Sequence, residues 1–597
     1  MRQRMRAHLA LSLDLATALT GVAASAAVAG PPARQSQTAE LTVLATTDVH
    51  GRVQNWDYFA DKPYSDKHGN NVGLANASSV IDAVRAERGE EAVVVVDNGD
   101  FLQGTPLTTY YAKQAPITET GEMHPMAAAY NAVGYDVQNL GNHEFNYGLD
   151  LLATYEDQVD FPLLAANVVD AQTGEPAFQP YEIITRKVTN NKPVKIGFVG
   201  LTTPGSMVWD KANLEGHVEI EDMVESAKKW VPRVRAAGAD VVVVLSHAGQ
   251  GQSSYDVPDL GDENPSDDIA RLVPGIDAMV LGHSHQFVEE QFIQNEISGD
   301  DVLIVQPRNW AQTVADITFD LEKVEGKWQV AEANGAMLNS ADYPADPEVI
   351  AATQAAHDTT VEYVNTVIAT STDELPAATS RYEGTAILDY IQMVQAETVR
   401  EALAGTQYSE LPVLSIAAPF SRTAVFPQGD VTIRDMAGLY IYDNTLEGVL
   451  LTGAQVKDYL EYSAKYFAQI QPGQAFDPET MTQVEWNGAP VWDYNYDVMS
   501  GIDYDINLAK PVGQRIENLT LNGEPVADDQ QFVVAINNYR ASGGGAFPYV
   551  ASAPVVHNDM AEIRQLLIDW AMENEVIDQA DFFVDNWRLT FDGEPVA

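Results

Sequence analysis

At 597 residues the chain exceeds what one hydrophobic core organises, about 250–300 residues, so two domains or more are expected. With 86 acidic against 34 basic side chains, its formal charge of −52 excludes binding of a nucleic-acid polymer through a basic face, and a small anionic substrate would need local cations. The absence of cysteine excludes disulfides, iron–sulfur clusters, thiolate zinc sites and a cysteine nucleophile, leaving His, Asp, Glu and Asn to hold any metal.

Residues 1–29 have the pattern of a secretory leader: Arg2, Arg4 and Arg6, an apolar stretch through Leu9, Leu11 and Leu13 to Val22, then Ala27-Val28-Ala29 before Gly30. Cleavage near Ala29 would make the mature chain secreted or periplasmic, with a charge of −54, since the leader carries three Arg and one Asp. No later segment approaches the ~20 apolar residues of a spanning helix, so no membrane anchor is expected.

From Leu41 to about Phe319, short apolar runs alternate with helical segments. The clearest are Leu41–Thr46, Val93–Val96, Leu163–Ala166, Ile196–Leu201, Val241–Leu245 and Ala278–Leu281. Runs of four valines suit strands buried on both faces, which predicts an α/β layered domain over residues 38–345. Asp346-Pro347 is a helix cap followed by proline at the first helical position. It opens an interdomain helix or linker over 346–375, with Val361, Val364 and Ile368 on one face. Residues 376–597 mix helices, such as one after Thr452, with strands, such as Phe532–Ile536, and are expected to form an α+β domain.

Most of the first domain's strands run into metal-competent residues: Asp48-Val49-His50, Asp97-Asn98-Gly99-Asp100, Gly141-Asn142-His143-Glu144, Ser246-His247 and Gly282-His283-Ser284-His285. Ligands collect at the carboxyl ends of strands in open α/β sheets, so five clusters separate in sequence are expected to converge. Five of the eleven histidines fall in them. Imidazole and carboxylate with one amide suit zinc, manganese or iron. Seven candidate ligands exceed the needs of one tetrahedral ion; two divalent ions about 3.5–4 Å apart would use them all, a clamp for displacement at phosphorus.

Together and in this order, these motifs resemble the calcineurin-like metallophosphoesterases, and the whole chain is similar to secreted 5′-nucleotidases. The resemblance implies a four-layer α/β/β/α domain followed by a 5′-nucleotidase-type nucleotide-binding domain. It implies one metal on Asp48, His50 and His285, a second on Asn142, His247 and His283, and Asp100 bridging them. Asn142 and His143 are the implied catalytic residues, His143 acting not as a ligand but on the transition state or the leaving alkoxide. Asp97 would brace its loop.

In the second domain two segments carry aromatics and amides suited to a nucleobase. They are Leu439-Tyr440-Ile441-Tyr442-Asp443-Asn444-Thr445-Leu446 and Asn537-Asn538-Tyr539-Arg540-Ala541-Ser542-Gly543-Gly544-Gly545. By propensity alone, tyrosines alternating in a strand are usually packing and a glycine triplet is usually a loop. The resemblance implies a base clamp of Tyr442, Asn444 and Tyr539. Three departures separate the chain from the plain 5′-nucleotidase pattern: Asn146 in place of an Asp that orients the catalytic His, Ala417-Ala418-Pro419-Phe420 in place of Gly-Gly-Ile-Arg, and Gly545 in place of Asp. They resemble instead the branch of 2′,3′-cyclic-nucleotide 2′-phosphodiesterase/3′-nucleotidases, echoed also in Trp209-Asp210-Lys211-Ala212-Asn213-Leu214 and Tyr494-Asn495-Tyr496-Asp497-Val498. The expected activity is opening of 2′,3′-cyclic nucleotides and release of phosphate from the 3′-nucleotide. The alternatives are a 5′-nucleotidase or nucleotide-sugar hydrolase, and a secreted nucleotide-binding protein with a dead metal site.

Overall fold

The two four-valine runs are central strands of two different sheets in the computed structural model. It describes residues 37–596 apart from Lys67, 189–191, Gln252, Ser254, Asp256, Pro258, Asp443 and Asn487. The leader expected over 1–29 lies outside the described residues. In the first sheet the strand order is Lys327–Asn339, Thr313–Val324, Thr38–Thr46, Val93–Asp97, Val137–Asn139 and Leu163–Leu164. Its last four strands are parallel, and Thr46 lies opposite Asp97. The second sheet runs Phe287–Gln294, Asp301–Pro307, Ala278–Leu281, Val241–His247, Lys192–Thr202 and Tyr181–Val188, with parallel pairing in its middle and antiparallel strands at both edges.

Alternation along the valines shows why both faces must be apolar. Val94 and Val96 join Val241, Val243 and Leu245 in a core between the two sheets. Val93 and Val95 instead pack outward beneath helices Leu74–Arg88 and Pro125–Val133, while Val242 and Val244 pack beneath helix Met223–Ala236. Two sheets, each with a helical outer cover, make the expected α/β/β/α layers. Burial of both faces leaves the strand ends as the place where polar side chains can gather.

Helix Pro347–Val364 opens as its cap predicts. Asp346 accepts from Glu348 N at 2.8 Å and from Ser78 Oγ at 2.6 Å, tying the helix start to the first domain's helix. It ends sooner than the apolar spacing suggests: Ile368 lies not on the helix but in strand Val367–Ser371, which pairs antiparallel with Gly429–Thr432. Asn365 interrupts, and the following Thr-Val-Ile run is β-branched, which favours a strand once a partner is present.

Beyond it, a mixed sheet orders Val498–Ser500, Val413–Ala417, Gln531–Asn537, Thr445–Thr452 and Val555–Glu562, and helices Ala386–Ala402 and Ile563–Asn574 join it in one large core. The helix after Thr452 spans Gly453–Ser463 and starts with a capping box of Thr452 and Gln455. Tyr440 and Tyr442 are not strand residues: helix Ile433–Leu439 ends before them and the strand begins at Thr445, so they occupy the connecting turn. Among the described residues no helix is long and apolar enough to cross a membrane.

Asp346→Ala removes the cap and the Ser78 contact together and should lower unfolding free energy by about 0.5–2 kcal/mol, read as a fall in the urea midpoint at unchanged m-value.

Candidate active site

The loops after parallel neighbours are stitched together before any ligand chemistry is considered. Asp48 N donates to Gly99 O and His50 N to Asp100 O, each at 2.8 Å. Glu144, fully buried, then gathers the next loops, accepting from the backbone N–H of Asp100, Phe101, Leu102 and Gly141. Burial pushes its carboxyl up to about 7. Close approach demands glycine at 141, where a Cβ would stand 2.3 Å from Asp100 Oδ1 and 2.7 Å from His247 Cε1. Asp48, His50, Asp100, His283 and His285 all hold positive φ between 50° and 63°, so five of the seven expected ligands sit in the left-handed region that side chains avoid.

The seven expected ligands meet at the strand ends. Asp48, His50 and His285 form one group, Asp100, His247 and His283 another, and Asp100 also groups with His50 and His143. Asn142 joins the second group through Oδ1, 2.9 Å from His283 Nδ1. His50 Nδ1 is 2.9 Å from Gln103 O, and His247 Nδ1 is 2.6 Å from Asn98 O. A carbonyl only accepts, so both Nδ1 atoms carry a proton and Nε2 is the ring atom left to ligate a metal. His50 Nε2 faces His285 Nε2 at 3.0 Å, while the buried Nε2 of His247 lies 2.9 Å from Asp100 Oδ2 without hydrogen-bonding alignment. For His283 the order is reversed: Nε2 meets Glu263 Oε1 at 2.9 Å, turning Nδ1 toward Asn142.

The electrostatics ask for a cation. Asp48 and Asp100 are 0% and 1% exposed, and their ion-pair partners among the described residues are histidines only. Burial opposes charge on His247, yet Asp100 and Asp48 raise it to about 10, while His50, buried beside other imidazoles, falls to about 3. Without a metal, a proton must serve as counter-ion for two buried carboxylates. Ring nitrogens and carboxylate oxygens gathered around Asp100, with the mixed His/Asp/Asn donor set, fit a divalent pair in place of that proton. Asp97 is not in these groups. It accepts from Thr46 Oγ1, Tyr130 OH, Gln138 Nε2 and Gly99 N, bracing the loop.

A cavity of about 770 Å³ opens over this floor. Asp100, Asn142, His143, His283 and His285 line it together with Tyr442, Asn444 and Tyr539, so the expected base-clamp residues share one pocket with the metal-competent ones. Sequence reasoning missed several neighbours. Glu263 behind His283 lies in an irregular loop with no motif to mark it, and Trp209 stacks on His283 with ring centroids 5.3 Å apart. Phe420, Trp492 and Tyr494 add aromatic wall, Phe420 and Tyr494 lying 5.4 and 6.3 Å from Tyr442. His143 Nδ1 contacts Asn146 Oδ1, and Asn146 in turn reaches Asp210, whose carboxyl burial raises to about 6.

The pocket's outer wall rests on one buried ion pair. Arg540 meets Asp497 through Nε at 2.8 Å and Nη2 at 3.2 Å, and also donates to Tyr494 O, Asn495 Oδ1 and Gly544 O. It thereby ties the Tyr494–Asp497 segment to the turn carrying Tyr539.

The calcineurin-like phosphoesterase family matches residues 41–287, and the 5′-nucleotidase C-terminal domain matches residues 367–552. The 2′,3′-cyclic-nucleotide 2′-phosphodiesterase/3′-nucleotidase of Yersinia enterocolitica is 34% identical over 97% of this chain and 91% of its own length. That of Haemophilus influenzae is 35% identical over 92% and 87%. The trifunctional nucleotide phosphoesterase YfkN of Bacillus subtilis is 35% identical over 94% of the chain, which spans only 40% of that protein. In fold the chain is similar to a solved 5′-nucleotidase-type structure from Staphylococcus aureus, at a TM-score of 0.73 and 24% identity over 92% of this chain and 99% of the other. The 5′-nucleotidase precursor of Thermus thermophilus gives 0.62 and 22% over 93% and 100%.

Arg540→Met leaves Asp497 buried without its partner and should destabilise the chain by about 3–5 kcal/mol, measured by chemical denaturation.

Proposed function

The chain belongs to the 2′,3′-cyclic-nucleotide 2′-phosphodiesterase/3′-nucleotidase family, whose members are metal-dependent phosphoric ester hydrolases, and we propose that it converts 2′,3′-cyclic nucleotides to nucleosides and phosphate through the 3′-nucleotide. The observation that carries this reading is the single cavity in which metal-competent residues face an aromatic wall. Asp48, His50 and His285 would hold one ion, Asn142, His247 and His283 the other, with Asp100 shared. A divalent pair bound there supplies an activated water and neutralises charge on the phosphoryl oxygens.

The chain's own residues do the rest. Glu263 and the carbonyls of Gln103 and Asn98 hold the imidazoles in their ligating tautomers. Tyr442 and Tyr539 stack the nucleobase, with Asn444 beside them, so that the ribose phosphate reaches the floor. His143, which lines the cavity and contacts Asn146, donates a proton to the departing ribose oxygen. One site serves two steps: water opens the cyclic diester at the 2′ oxygen to give a 3′-monoester, and a second water releases phosphate from the 3′ oxygen. A divide near helix Pro347–Val364 separates a metal-binding domain from a nucleotide-binding one, and a leader ending near Ala29 would export the chain.

With metals restored after EDTA treatment, 2′,3′-cyclic AMP should yield adenosine and phosphate with transient 3′-AMP, followed by chromatography. Much faster cleavage of 5′-AMP than of either compound would show a 5′-nucleotidase instead. Tyr442→Ala should raise KM for 3′-AMP about 5- to 100-fold, the equivalent of one lost base stack, and leave turnover of 4-nitrophenyl phosphate unchanged.

A further inference from the structure

His143 Nδ1 lies 2.6 Å from Asn146 Oδ1, and Asn146 Nδ2 donates to Asp210 Oδ1 at 2.8 Å. The chemistry of the three groups fixes the direction of this chain of bonds. An ionised carboxylate only accepts, so the amide must turn its NH₂ toward Asp210 and its oxygen toward His143. That oxygen also only accepts, so Nδ1 must carry the proton and Nε2 is left for the cavity that His143 lines. Remove the carboxylate and nothing sets which end of the amide faces the ring. A flipped amide would select the opposite tautomer and oppose the imidazolium outright.

Asp210 is placed for this task. It is 5% exposed, and among the described residues its second oxygen has no hydrogen-bond partner, so its side-chain contact there is the Asn146 amide. The two loops are locked together beside it by Asn213, whose Nδ2 donates to Phe145 O at 2.9 Å and Asn146 O at 3.0 Å. The preceding Trp209 stacks on His283, which fixes the segment against the site floor.

We infer that Asp210 is a positioning residue for the hydrolysis: through the amide of Asn146 it holds the His143 ring in the Nδ1–H form, with Nε2 turned to the cavity. The inference rests on the role proposed above for His143. As the P–O bond breaks, the proton on Nε2 moves to the ribose oxygen and the ring returns to the neutral Nδ1–H form. A proton from the water consumed restores the imidazolium. The carboxylate that position 146 lacks is supplied from 64 residues further along the chain.

The test compares metal-loaded wild type with Asp210→Asn, with the double variant Asp210→Asn/Asn146→Asp, which exchanges amide and carboxylate, and with His143→Ala. Asp210→Asn should lower kcat for 3′-AMP about 10- to 100-fold, with KM within about twofold and the metal content of wild type. Its loss on 4-nitrophenyl phosphate, whose leaving group departs without a proton, should be much smaller. The exchanged pair should recover most of the lost kcat. Loss in His143→Ala without loss in Asp210→Asn, or an exchanged pair no faster than Asp210→Asn, overturns the inference alone. Full kcat in His143→Ala overturns the role of His143 and this inference with it.

Discussion

Two buried carboxylates, Asp48 and Asp100, set the terms for the rest of this structure. They stand at the ends of parallel strands without a lysine or arginine among their described ion-pair partners. Two charges buried this close together are costly unless a cation compensates them. Everything around them serves to keep that arrangement from relaxing. Backbone hydrogen bonds stitch the two loops, Glu144 clamps four amides, and glycine at 141 allows the chains to approach. The left-handed turns at five of the seven expected ligands are a strain that no isolated loop would retain. The valine-rich strands beneath, buried on both sides, are the rigid base that over-determines it.

Much of this was legible in the sequence because the signals are short and local. A four-valine run admits few environments, and Asp97-Asn98-Gly99-Asp100 and Ser246-His247 at the ends of two such runs mark where metal-competent side chains gather. The capping pair Asp346-Pro347 placed a helix start to the residue. The failures have one physical cause: they depend on partners distant in sequence. Ile368 fits a helix face until Gly429–Thr432 is there to pair with its strand. Glu263 comes from a loop whose relevance is visible only once His283 has been folded against it.

Asp210 illustrates the same limit from another side. The segment Trp209–Leu214 stood out in the sequence, but its acid had no partner within view, and Asn146 looked like a loss of charge at an orienting position. In three dimensions the two observations answer one another. A substitution that removes a charge from one loop can be matched by a charge retained on another, which pairwise comparison of motifs does not reveal.

One contact near that segment has a wider consequence. Asn538, the neighbour of Tyr539, donates from Nδ2 to the carbonyl of Trp209 at 3.1 Å, and its Oδ1 accepts from Thr445 N. The residue beside the base stack thus grips the peptide that precedes Asp210. Any movement that draws the aromatic wall away from the metal-binding floor must first break this bond, and it does so at the root of the imidazole's support. Displacing the segment that carries Tyr539 therefore also loosens the peptide that carries Asp210.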